Sequence, residues 1–91
     1  MRFTTSRLCG GDSFMAISAE PMDIDMAKAA ESISARGCPI SKAGELELTF
    51  TWNGMEVTLY PSGKIMFFPL KDRALCIKYA TELLKSLRFL A

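Results

Sequence analysis

Apolar and polar residues alternate along ELELTFTW (45–52), MEVTLY (55–60) and KIMFF (64–68), and the runs are separated by Asn53-Gly54 and by Pro61-Ser62-Gly63. A period of two marks a strand with one face covered. Asn and Gly accept the positive φ that tight hairpins need. The segment therefore predicts three consecutive antiparallel strands. Leu46, Leu48, Phe50, Trp52, Met55, Val57, Leu59, Ile65 and Phe67 fall on one face, built to be covered. Glu45, Glu47, Thr49, Thr51, Glu56, Thr58, Tyr60, Lys64, Met66 and Phe68 fall on the other, which is mixed and at least partly wet.

On either side of this core the period changes. Across 23–36, Met22, Met26, Ala29, Ala30 and Ile33 recur at steps of three and four, a narrow helical stripe. Asp23, following Pro21, is the expected N-cap, and Gly37 the stop, with Pro39 beyond it. The link CPISKAG reads as loop. A second helix is predicted over 71–90, with Cys76, Tyr79, Ala80, Leu83, Leu87 and Leu90 as its apolar stripe, widened by Ile77 and Leu84. On its far side Lys78 and Glu82 form an i,i+4 pair, worth only about 0.2–0.5 kcal/mol. Residues 12–19 have short β character, with Phe14, Ala16 and Ser18 opposed to Met15, Ile17 and Ala19. For 1–12 two readings stand: an extra strand hairpinned across Gly10-Gly11, or a loose arm. The expected fold is α+β in the order β-α-β-β-β-α, a curved antiparallel sheet of four to five strands with two helices on its one apolar face.

The 91 residues suffice for one domain, and 49% hydrophobic against 23% charged residues argues for a packed globule. No apolar run approaches the roughly 18–20 residues of a membrane span, and the first residues lack the apolar core of a signal peptide. The expectation is a soluble, cytoplasmic protein with no membrane partner. A net charge of +1 sets up no long-range field for nucleic acid or anionic lipid. Only the C-terminal stretch leans basic, through Lys71, Arg73, Lys78, Lys85 and Arg88 against Asp72 and Glu82. Those cations read as a solvated helix face or, alternatively, as a nucleic-acid contact.

Catalytic chemistry finds little to work with. The chain has no histidine, which removes Ser–His and Cys–His nucleophile arrangements. Cys9, Cys38 and Cys76 are widely spaced and contain no CxxC pair, so they read as reduced thiols rather than a zinc site. Glu45 and Glu47 fall about 7 Å apart on one strand face, a spacing conceivable for paired carboxylates. Two glutamates on an open face are far more often solvated surface. The expectation is no catalytic, metal or cofactor site.

LYPSGKIMFF followed by KDRALCIKYATELLKSL resembles one repeat of the TATA-binding protein. That family has a hairpin turn of the form SGK, a short strand and a long helix carrying a YA pair, and here Ser62-Gly63-Lys64 and Tyr79-Ala80 stand in those places. The likeness extends back to Lys42, and more loosely through DIDMAKAAESISA and SFMAIS, covering most of 13–90. It implies a small stand-alone member with a TBP-like half-repeat fold. Family members fuse two repeats into a saddle that bends the DNA minor groove. A single repeat implies a sheet edge left for a twin, hence a homodimer. Single-repeat relatives also occur as substrate-binding attachments of nucleases and glycosylases. The two wedging phenylalanines of a family repeat fall at Ala43 and Tyr60, so one is missing and the other altered. Glu45, Glu47 and Glu56 against Lys64 make the open face repulsive to phosphates, which argues against duplex DNA there.

The sequence thus points to a non-catalytic binding or assembly module, partnered with itself or with another protein through the open face. Tyr60, Met66 and Phe68 form the apolar centre, rimmed by Glu45, Glu47, Glu56, Thr58 and Lys64. A competing reading lays Phe3 or Leu8 of the N-terminal arm across those three.

Overall fold

The computed structural model describes residues 3–7, 12–19 and 23–86. It contains β1 (Phe3–Arg7), β2 (Phe14–Ser18), α1 (Met26–Ala35), β3 (Ile40–Ala43), β4 (Leu48–Trp52), β5 (Met55–Leu59), β6 (Ile65–Phe68) and α2 (Arg73–Ser86). The six strands form one antiparallel sheet in the order β1-β2-β6-β5-β4-β3. The α+β class stands, but six strands replace the expected four to five. Of the two readings for the N-terminal residues, the extra strand holds over Phe3–Arg7, pairing with β2.

The other additional strand is β3, in the stretch read as loop. Its four residues bury nothing fully, and only Ile40 is half-covered. Such a strand carries no alternation to detect; it forms because β4 offers it a free edge. Ile40 pairs with Phe50, Lys42 with Thr49 and Ala43 with Leu48, with a bulge between Ile40 and Lys42. The Pro39 carbonyl also accepts from the Thr51 amide at 2.9 Å. The reversal from β3 to β4 occupies 44–47, where the Gly44 amide donates to the Glu47 carbonyl at 2.9 Å. Leu46 therefore leaves the covered face and stands 79% exposed in this turn, contrary to the alternation read from 45 onward.

From Leu48 on, the covered face follows the alternation closely. Leu48, Phe50, Met55, Val57, Leu59, Ile65 and Phe67 are buried. Asn53 (φ 51°) and Gly54 (φ 75°) make the first hairpin turn, and Gly63 (φ 95°) serves the second. β2 extends the covered face with Phe14 opposite Phe67 and Ala16 opposite Ile65. Both helices contribute to the same core. α1 packs over β3 and β4 through Met26, Ala29 and Ile33, and α2 over β1 and β2 through Cys76, Ala80, Leu83 and Leu84. Trp52, which alternation places on the covered face, is half-covered, its ring set edge-on against Tyr79 with centroids 5.3 Å apart.

Helix ends follow from local hydrogen bonding. α1 begins two residues later than the sequence suggests, because Asp25 rather than Asp23 is the cap. Its Oδ1 accepts from the Ala27 and Lys28 amides at 3.1 and 3.2 Å. At the other end the Gly37 amide donates to Ser34 O and the Cys38 amide to Ile33 O, a Schellman closure that needs the positive φ of 79° at Gly37. Asp72 caps α2, accepting from the Ala74 and Leu75 amides at 2.8 and 3.2 Å. Leu87 and Leu90 of the expected stripe lie outside the described residues. No helix among the described residues is long and apolar enough to cross a membrane.

Candidate binding face

With both helices on one side, the other side of the sheet has no described helix against it. One rung crosses all six strands there: Ser6, Met15, Met66, Thr58, Thr49 and Lys42 stand opposite one another in sequence. A second rung joins Phe68 to Glu56 and Thr51, and a third joins Thr4 to Ile17. Alternation along β6 sets Lys64, Met66 and Phe68 in line, and the Tyr60 amide donates to the Lys64 carbonyl at 2.9 Å. The result is an apolar centre of Met15, Met66 and Phe68, flanked by Ile17 and Tyr60. Phe68 is 44% exposed, and the other four are half-covered.

Most of the residues singled out from the sequence meet on this face. Tyr60, Met66 and Phe68 do so as the centre, Glu56 and Lys64 as exposed rim. Thr58 is different: it is buried, and its hydroxyl lies 3.1 Å from that of Thr49. It is a structural floor to the face rather than rim. Glu47 is half-covered and bound in an ion pair with Lys42 at the β3 edge, and the hydrogen bond that Lys42 donates to the Glu47 carboxylate, together with that negative charge, raises the Lys42 pKa. Glu45 sits in the exposed 44–47 turn, off the sheet. The two glutamates thus do not form the strand-face pair that alternation suggested.

Phe3 resolves part of the competing reading. It packs half-buried against the core on the helix side, not across the open face, because β1 pairs with β2 in a register that sets Phe3 opposite Ser18. Leu8 lies outside the described residues. The face gains Met15 and Ile17, which alternation groups opposite Phe14 and Ala16 without assigning either set to a face of the sheet. The strand signal in 12–19 gives side-chain parity but not the neighbour, and only the β2–β6 pairing makes Met15 adjoin Met66.

The basic residues of the C-terminal stretch are less concentrated than their spacing suggests. Lys78 and Lys85 are exposed two turns apart on α2, with exposed Glu82 between them on the same side. Arg73 emerges elsewhere around the helix, and Lys71 pairs with Asp12 at 3.4 Å. Arg88 and Cys9 lie outside the described residues. Cys38 is a half-buried free thiol and Cys76 a buried one, its pKa pushed up to about 11 by burial. Among the described residues no three of Cys, Asp and Glu come close enough to hold a metal ion. Ala43, one of the two wedge positions, lies at the β3 edge, while Tyr60 borders the apolar centre. No family model matches the chain, and no significant match was found among curated proteins or solved structures.

Proposed function

We propose that this protein is a non-catalytic binding and assembly module that takes a protein partner on its open sheet face, in an assembly that includes a second copy of itself. The observation that carries this reading is the Met15–Met66–Phe68 centre, apolar on three side chains from two adjoining strands and rimmed by Glu56, Lys64 and Thr51. An apolar centre with a polar margin is the common anatomy of a protein contact. Four of the acidic groups have structural roles: Asp25 and Asp72 cap helices, Glu47 pairs with Lys42, and Asp12 pairs with Lys71. The resemblance of Ser62-Gly63-Lys64 and Tyr79-Ala80 to a single TATA-binding protein repeat is consistent with such a role.

A photo-crosslinking residue installed at Phe68, with one at exposed Glu31 on α1 as control, tests the reading in cells. The expected result is a discrete protein adduct from position 68 that Met66→Lys abolishes and position 31 does not give. An adduct of twice the chain mass identifies a second copy, and any other mass a different protein. Equal labelling from both positions would remove the open face as the binding surface.

A further inference from the structure

Among the described residues the sheet ends in β1 on one side and β3 on the other with no further strand paired to either, and the two edges are not equivalent. β3 carries the devices by which proteins blunt an edge: it is four residues long, bulged between Ile40 and Lys42, and bears Lys42. β1 carries none of them along its middle. Its five residues pair with β2 without a break, and Thr4, Thr5 and Ser6 are uncharged, with threonine a favoured strand residue. An edge that is unbulged, and uncharged over its three middle residues, exposes a row of backbone donors and acceptors that invites another strand.

We infer that two copies of this chain join β1 to β1 antiparallel about Thr5, making one continuous twelve-stranded sheet. The inference rests on the assembly reading above and specifies its interface. The occupant is a second copy because the strand complements itself. A two-fold axis at Thr5 sets Thr4 of each copy opposite Ser6 of the other, and neither position carries a charge. Hydroxyl pairs of this kind already stabilise the sheet interior, where Thr49 meets Thr58 at 3.1 Å. Thr4 and Ser6 lie on the open face, as Ser6 is opposite Met15 and Thr4 opposite Ile17. Pairing at β1 therefore merges the two open faces into one surface, with the apolar centres on either side of the axis.

Charge placed on the axis tests the register. Thr4 and Ser6 are exposed in the single chain, so lysine at both leaves the fold intact. Sedimentation equilibrium of the full chain is expected to show a dimer for the wild type. Thr4→Lys with Ser6→Lys, which opposes like charges twice across the axis, should weaken it by roughly tenfold or more while the far-ultraviolet spectrum is unchanged. Thr4→Glu with Ser6→Lys should restore it, because the two-fold axis then opposes unlike charges. A monomeric wild type overturns the inference, as does a double-lysine variant that dimerises normally. Dimers lost in Met66→Lys with Phe68→Lys but kept in the double-lysine variant overturn the edge while leaving the open face as the contact. Failure of the edge alone leaves the crosslinking result at Phe68 to decide the open-face reading.

Discussion

Thr49 and Thr58 face each other across β4 and β5 on the uncovered side of the sheet, their hydroxyls 3.1 Å apart and both side chains buried. Each hydroxyl satisfies the other where solvent is largely excluded. Thr58→Val leaves the Thr49 hydroxyl without its partner and should cost about 1–3 kcal/mol in denaturant unfolding. The double change, Thr49→Val with Thr58→Val, removes both groups and should cost less than the sum of the two single changes. Additive costs would show that the two hydroxyls are not coupled.

Leu83 is fully buried in α2, against the sheet. Leu83→Ala is expected to lower stability by about 2–5 kcal/mol, through lost burial and the cavity it leaves. Exposed Lys85, two residues on, provides the control: Lys85→Ala should change stability by no more than about 0.5 kcal/mol. Similar costs at the two positions would mean that α2 is turned on its axis.

The start of α2 depends on one carboxylate. Asp72 accepts from the Ala74 and Leu75 amides, and no acidic residue lies in the first turn to substitute for it. Asp72→Ala should destabilise the protein by about 0.5–2 kcal/mol, and Asp72→Asn by less, since asparagine also caps. Asp23→Ala should be nearly silent by the same measurement, because Asp25 is the cap of α1.

Burial raises the Cys76 pKa from 9.0 to about 11. The unfolded chain loses the thiol proton first as pH rises, so unfolding becomes easier in that window. Stability should be insensitive to this group below about pH 8 and fall between about pH 9 and 11, by up to roughly 2–3 kcal/mol. The difference between wild type and Cys76→Ala across that range isolates the contribution. Parallel pH curves would mean that the thiol ionises as readily folded as unfolded.

Duplex DNA should not bind appreciably at physiological salt. Glu56 stands exposed beside Phe68, and the cations of α2 are interrupted by Glu82. Of the three glutamates once grouped on the face, Glu56 is the one left free on it, so Glu56→Lys should do most to create weak, salt-sensitive binding. Micromolar, salt-dependent binding by the unaltered protein, reduced by Lys78→Glu with Lys85→Glu, would move the nucleic acid to the outer side of α2.

The sequence by itself determined which side chains of β4, β5 and β6 face the core, because a half-covered strand writes its parity into alternate positions. Asn53-Gly54 and Ser62-Gly63 marked the reversals for an equally local reason, backbone freedom at positive φ. The stripe of α2 was legible through Cys76, Ala80, Leu83 and Leu84, since a helix packed on a sheet must bury one side. Tertiary structure alone decided what rests on neighbours distant in the chain. ISKA becomes β3 because β4 has an edge to pair, not through any pattern of its own. Leu46 leaves the core because that pairing makes 44–47 a turn. Phe3 goes to the helix side, and Met15 comes to Met66, through the pairings of β1 with β2 and of β2 with β6. Parity is a property of one strand and can be read along it; adjacency is a property of two, and the hydrogen bonds that create it leave no mark on either sequence.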